Sequence, residues 1–172
     1  MRRSRLASPT LALLGLVLAA NLARADAGAP AAPGLVIAIE DFAYVDTSAE
    51  PGDQAAAHRE RLETLMAALR RDFAAGGQYR LVPLSCGAPC TGNESAADLL
   101  RAASDAGAQI LILGGIHKQS TLVQWAKVEA IDIAGDRVLL DRLFTFRGDS
   151  DEAWQRAEVF MSHQIRAALA TH

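Results

Sequence analysis

Short apolar runs alternate with amphipathic stretches along most of the chain, which is the pattern of an α/β domain. Residues 35–39 and 109–116 are continuous and rich in branched side chains, so each run predicts a buried strand. Residues 79–84 predict a shorter strand. Between the strands, apolar residues recur at helical spacing and predict helices over about 54–75 and 95–106.

The pattern changes after residue 120. Residues 121–133 and 137–147 are long and strand-like, and the turn residues between them predict a hairpin. A helix over about 151–170 closes the chain, and Asp149 and Glu152 have the spacing of a capping box at its start. The predicted fold is therefore a single α/β sandwich with a mixed sheet, in the order β-α-β-α-β-β-β-α.

The first 25 residues predict a secretory signal peptide. Three arginines precede an apolar run over 11–22, and Ala23-Arg24-Ala25 forms a small-x-small cleavage site. The run is shorter than the about 20 residues of a spanning helix, which makes a retained anchor the lesser alternative. The Arg2-Arg3 pair leaves a twin-arginine route open. We expect cleavage after Ala25, a flexible tether over 26–34 and one domain over 35–172.

The charge balance changes once the leader is removed. Four of the 17 basic residues lie in the leader, which leaves 13 against 20 acidic residues, a formal charge of −7. An acidic chain without a basic patch is not expected to bind nucleic acid or an anionic membrane surface. No second apolar segment is long enough to span a membrane, so the sequence predicts a periplasmic location.

Two stretches carry a resemblance to known proteins. LVIAIEDFAY with the helix after it, and GAQILILGGI with the hairpin after it, resemble the N-terminal domain of TolB and related periplasmic α/β modules. Gly107, Ala108 and Gly114 match the glycine-alanine element of that group, and Ile133-Ala134-Gly135 matches its turn. The resemblance implies the fold and an envelope location, but without the propeller of TolB the role of TolB does not carry over.

A closer resemblance rests on HKQSTLVQW at 117–125 and FRGDSDEAW at 146–154. Both stretches are long and unusual in composition. They are similar to an uncharacterised family of exported bacterial proteins. Membership implies export and brings no activity with it.

Cys86 and Cys90 are the only cysteines, and they lie in one predicted loop. An even pair in an oxidising compartment predicts a disulfide. A thiol metal site and a redox pair remain alternatives, although redox pairs usually have two intervening residues rather than three. The four histidines show no ligand spacing, and His58 and His163 are predicted on exposed helix faces. We therefore expect no metal and no cofactor.

The preferred candidate pocket lies at strand ends. Glu40 and Asp41 follow the first strand, and Lys118 follows the third, so the three would converge if those strands are neighbours. Ser120 and Thr121 lie in the polar segment that joins the third strand to the hairpin. They could bind an anion or a carboxylate together with Lys118, or form an ordinary polar turn.

Three further residues complete the candidate set. Trp125 is a core or interface anchor, and Arg147 and Asp149 belong to the dense polar stretch before the last helix. The acids of that stretch could bind a cation, but helix capping explains them better.

The chain carries no motif of a known catalytic site. The function favoured by the sequence is an exported, non-catalytic module that binds a protein partner or assists an envelope complex. The alternative is a small-ligand or anion binder that uses the strand ends near Asp41 and Lys118. A redox carrier built on the two cysteines is a third possibility.

Overall fold

The computed structural model describes residues 34–85 and 94–171. In chain order, the elements are β1 (Leu35–Ile39), β2 (Ala43–Asp46), α1 (Ala55–Ala74), β3 (Tyr79–Val82), α2 (Ala96–Asp105), β4 (Ile110–Lys118), β5 (Val123–Asp132), β6 (Arg137–Arg147) and α3 (Asp151–Leu169). The predicted fold class is confirmed, with β2 as one strand more than predicted. Residues 1–33 lie outside the described part, so the signal peptide and the tether stay predictions.

The six strands form one mixed sheet, in which five follow the order β3-β1-β4-β5-β6 and β2 pairs with β4 beside this path. β1 runs parallel to β3 and to β4, whereas β4, β5 and β6 are antiparallel neighbours. β2 continues along the same edge of β4 that β1 leaves, because Ile39 is opposite Ile112 and Ala43 is opposite Gly115. The break between β1 and β2 turns the Phe42 side chain into the core, where it is 3% exposed.

The main core lies between one face of the sheet and the helices α1 and α3. Ile37, Ile112 and Val128 contribute the sheet side, and Leu69 and Ile165 contribute the helix side. A smaller core forms on the opposite face, where α2 packs on β1 and the start of β4. The two faces of the sheet are therefore covered unequally, and this asymmetry determines which residues reach the surface.

The start of α3 differs from the prediction. Ser150 is the N-cap, and its side chain accepts a hydrogen bond from the backbone N–H of Ala153. The capping box assigned to Asp149 and Glu152 is therefore wrong. A shorter side chain one residue later fills the role, which leaves the Asp149 carboxylate free to point into the protein.

Within residues 34–85 and 94–171, no helix is both long enough and apolar enough to cross a membrane.

Candidate functional site

The side chain of Lys118, the last residue of β4, is fully buried. Its ammonium donates to Glu50 Oε2 at 2.5 Å, to Gln54 Oε1 at 2.7 Å and to Asp149 Oδ2 at 2.7 Å. Three acceptors satisfy the three donors of an ammonium. Burial alone would lower the pKa of Lys118, but the hydrogen bonds to Asp149 and Glu50 raise it above its ordinary value. Lys118 is therefore held as a cation inside the protein.

Asp149 is the second centre of this arrangement. Its Oδ2 atom lies 2.7 Å from His58 Nε2, and its Oδ1 atom accepts from Arg61 Nη1 at 3.0 Å and from Gln124 Nε2 at 3.2 Å. Burial would raise the pKa of Asp149, but hydrogen bonds from Lys118 and His58 lower it to about 2. The carboxylate is charged at neutral pH and accepts bonds from four side chains.

His58 is 2% exposed, so its predicted place on an exposed helix face is wrong. Its ring lies against Tyr44, with the ring centroids 4.8 Å apart, and near Trp154 at 6.4 Å. The apolar stripe of α1 is wider than the aliphatic residues alone indicated, because the imidazole packs as an aromatic ring while Nε2 reaches Asp149.

These contacts define the Lys118 cluster, which consists of Asp46, Glu50, Gln54, His58, Arg61, Lys118, Gln124 and Asp149. The cluster joins the loop after β2, the helix α1, the strands β4 and β5, and the segment before α3. The sequence predicted Lys118 in the segment after the third strand, but it is the last residue of β4. An anion would have to displace a carboxylate to reach its ammonium. The geometry indicates that the cluster stabilises the fold by holding these elements together.

Glu40 and Asp41 lie elsewhere. The Glu40 N–H donates to the Ile112 carbonyl, and Lys118 lies six residues further along β4, about 20 Å at the rise of a strand. Asp41 accepts from Arg70 Nη2 at 2.6 Å. The predicted pocket required β1 and β4 to be neighbours, and they are. However, β2 pairs with β4 from Gly115 to Lys118, so it lies between the two acids and Lys118. The three residues do not converge.

Ser120 and Thr121 lie in the turn between β4 and β5. Ser120 Oγ accepts from the N–H of Val123 at 3.1 Å and from that of Leu122 at 3.4 Å. Thr121 is exposed and hydrogen-bonds to Glu50 of the Lys118 cluster. The pattern is that of a polar turn, which was one of the two predicted alternatives.

Trp125 and Arg147 lie on the sheet face opposite α1 and α3. Trp125 and Lys127 alternate along β5 with Ala126 and Val128, which are buried against the main core. Residues opposite one another in neighbouring strands share a face. Register therefore places a set of residues together, which we call the open face: Val45, His117, Trp125, Lys127, Leu143, Thr145 and Arg147.

In the described part of the chain, no helix covers the open face. α2 covers a different part of the same face, where it packs on Ala38 of β1 and Leu111 at the start of β4. The open face is uneven in polarity. Leu143 is 56% exposed and Val45 is 51% exposed. The Trp125 ring meets His117 edge-on at 4.7 Å, and Arg147 is exposed. Aromatic, aliphatic and guanidinium groups thus lie side by side on an accessible surface.

Two buried acids predict how stability depends on pH. Burial raises the pKa of Glu158 to about 7 and that of Glu40 to about 7, the latter against a hydrogen bond from the Gly114 backbone. An acid with a raised folded-state pKa stabilises the fold while protonated, and this stability is lost as pH rises from about 4.5 through 7. Each acid should lower the free energy of unfolding by up to about 3 kcal/mol as it ionises. We therefore expect the Tm to fall by several degrees between pH 5 and pH 8.

Circular dichroism melts across this range test the prediction, with Glu158→Gln expected to flatten the curve. Below pH 4 the sign reverses, because the pKa of Asp149 is lowered to about 2 and its contribution disappears as it becomes protonated. A Tm that is constant or rises from pH 5 to pH 8 would contradict the assignment of both acids.

The described residues contain no group of three or more histidine, cysteine, aspartate and glutamate side chains that could hold a metal ion. Cys86 and Cys90 fall within 86–93, outside the described residues, so the disulfide and its alternatives stay predictions.

Comparison with known families identifies the chain. A family model described as "Protein of unknown function (DUF2380)" matches residues 36–165. The chain belongs to this family. The stretches 117–125 and 146–154, which carried the closer resemblance, both lie inside the match, so the predicted membership of an uncharacterised family is confirmed. No curated protein matches the chain.

Several solved structures are similar to this member of the family at low sequence identity. Hypothetical protein CT253 from Chlamydia trachomatis has a TM-score of 0.55 and 13% identity, over 80% of this chain and 99% of that protein. TolB from Acinetobacter baumannii has a TM-score of 0.48 and 19% identity, over 79% of this chain but only 28% of TolB. The LpoB C-terminal domain from Salmonella enterica has a TM-score of 0.46 and 14% identity, over 66% and 82% of the two chains.

Proposed function

We propose that this protein is an exported, non-catalytic module that binds a protein partner of the bacterial envelope through its open face. The observation that carries the proposal is the unequal covering of the sheet. The helices α1 and α3 cover one face. On the other face, the half formed by β2, β4, β5 and β6 bears Trp125, Leu143 and Arg147 without a covering helix in the described residues.

The composition of the open face supports a protein as the partner. Tryptophan and arginine are the residue types that most often dominate binding energy at protein interfaces. A strand surface is broad and shallow, which suits another protein better than a small molecule, since small molecules bind in concave sites. Exposed Arg147 at one end favours a partner that offers a carboxylate beside an apolar contact.

The compartment follows from the N-terminal pattern. The basic, apolar and small-x-small segments of residues 1–25 support export, and the formal charge of −7 on residues 26–172 fits a protein that avoids anionic surfaces. The small-ligand alternative has less support, because the ammonium of Lys118 is enclosed by its own acceptors and lies far from Asp41.

Site-specific photo-crosslinking in the native host tests the proposal. Leu143 and Phe160 are each 56% exposed but lie on opposite faces of the sheet, because Phe160 of α3 packs on Phe144 of β6, whose side chain points away from that of Leu143. We expect p-benzoylphenylalanine at position 143 to give a discrete protein adduct, and the same group at position 160 to give none. Equal adducts at the two positions, or none at position 143, would contradict an interface on the open face.

A charge substitution distinguishes a specific interface from chance collision. Arg147→Glu, combined with the crosslinker at position 143, should weaken the adduct by about tenfold, because it reverses a charge that the partner's carboxylate meets. Arg142→Glu is the matched control, since Arg142 lies on the same strand but its side chain bonds to Gln164 of α3. An adduct that is unchanged by Arg147→Glu would remove Arg147 from the interface.

A further inference from the structure

A second candidate site lies on the helix side of the molecule, between α1 and α3. The groove has a volume of about 600 Å³, within the range of sites for small molecules. Its two ends are tied across the helices: Arg61 Nε donates to Asp151 Oδ1 at 2.8 Å, and Ser162 Oγ donates to Asp72 Oδ2 at 3.3 Å. Between the ties, short side chains such as Ala68 leave the space open.

Two of the residues that line this groove each carry a buried polar atom with no hydrogen-bond partner in the described structure. These atoms are the indole nitrogen of Trp154 and the carboxyl Oε1 of Glu158. Trp154 is 2% exposed and Glu158 is 3% exposed. Because they are four residues apart on α3, they lie one helical turn from each other on the same face. A buried polar atom without a partner costs free energy, which a ligand in the groove would recover.

The two atoms specify complementary chemistry. The indole N–H can only donate, so it requires an acceptor. A cation placed beside Glu158 would favour its carboxylate form over the protonated acid, and that carboxylate requires a donor. Acidic side chains outnumber basic ones around the groove, with Glu60, Asp72, Asp151, Glu152 and Glu158 against Arg61 and Arg71. The uncharged lining combines the polar side chains of Thr64 and Gln155 with the apolar Leu65, Ala68 and Trp154. The surroundings therefore favour a cation with an apolar body.

We propose that the groove between α1 and α3 binds a small organic amine that carries an apolar group and a hydrogen-bond acceptor close to the amine. The ammonium donates to Glu158, the acceptor takes the indole N–H of Trp154, and the apolar group lies against Leu65 and Ala68. This site is on the face opposite the proposed partner surface and does not depend on it.

The two tryptophans of the chain allow a direct test, because Trp125 lies on the open face and serves as an internal reference. The probe is phenylalaninamide, which has an ammonium, a carbonyl and an aromatic ring. In ¹⁵N-labelled mature protein, we expect it to shift the indole N–H resonance of Trp154 in a saturable way and to leave that of Trp125 in place. Trp125→Phe assigns the two resonances.

Two comparisons show whether Glu158 and the amine are responsible. 3-Phenylpropanamide lacks the ammonium and should bind about tenfold more weakly or worse, the loss of one charge-assisted hydrogen bond. Glu158→Gln should weaken phenylalaninamide to a similar degree, while Glu63→Gln, an exposed acid of α1 away from the groove, should not. An unmoved Trp154 resonance, or equal binding by the Glu158→Gln protein, would overturn the proposal.

Discussion

Replacing Lys118 with methionine should lower the free energy of unfolding by about 3 kcal/mol or more. The substitution removes the cation from between Glu50 and Asp149 and leaves their carboxylates largely buried without it. Arg61 and His58 continue to contact Asp149, and Gln54 continues to donate to Glu50, but these contacts do not replace the charge that both carboxylates lose. Urea unfolding followed by circular dichroism measures the loss.

The other lysine of the chain provides the control. Lys127 is 39% exposed and pairs with Asp141 across the surface of the hairpin, so Lys127→Met should cost no more than about 1 kcal/mol. Adding Glu50→Gln to Lys118→Met should restore part of the stability, because it removes one uncompensated charge. If the two lysine variants unfold at the same urea concentration, then Lys118 is not the centre of a buried ion cluster.

The strands and helices followed from local pattern because each depends on the apolar spacing of its own residues. The predicted strand over 137–147 matches β6, and α3 begins at the predicted Asp151. The strand β2 did not follow from local pattern, because it is four residues long and pairs only with β4. Its sequence, AYVD, has no apolar alternation long enough to indicate a strand.

The Lys118 cluster was missed for a different reason. Lys118 and Asp149 were singled out separately, one as an anion site and the other as a helix cap, but they are 31 residues apart in sequence and 2.7 Å apart in space. Glu50 lies in the segment 46–53, which is rich in turn-forming residues and indicates only a loop, and Gln54 lies at the start of a predicted helix. A lysine that directly follows the buried run ILILGGI was the available signal, since a charge at that depth needs partners from elsewhere in the chain.

Substituting Gly114 with alanine should destabilise the fold by about 1–3 kcal/mol, through crowding rather than through backbone strain. Gly114 lies in the middle of β4, and its φ is not positive, so its backbone conformation is open to other residues. A Cβ atom at this position would lie 2.5 Å from Cζ of Phe42, whose ring is buried in the core. Gly114 and Phe42 belong to the two separate stretches that carry the resemblance to the TolB group, and in the structure they pack against each other.

The neighbouring Gly115 separates the effect of crowding from the effect of a glycine-to-alanine change on the entropy of the unfolded chain. At Gly115 the nearest atom to an added Cβ is the Ala43 carbonyl oxygen at 3.4 Å, so Gly115→Ala should change stability by well under 1 kcal/mol while making the same change in chain entropy. Phe42→Leu combined with Gly114→Ala should lose less than the two single substitutions together, because the smaller side chain vacates the space of the ring. Additive losses would mean that Phe42 does not occupy the place of the missing side chain, and the break between β1 and β2 would need another explanation.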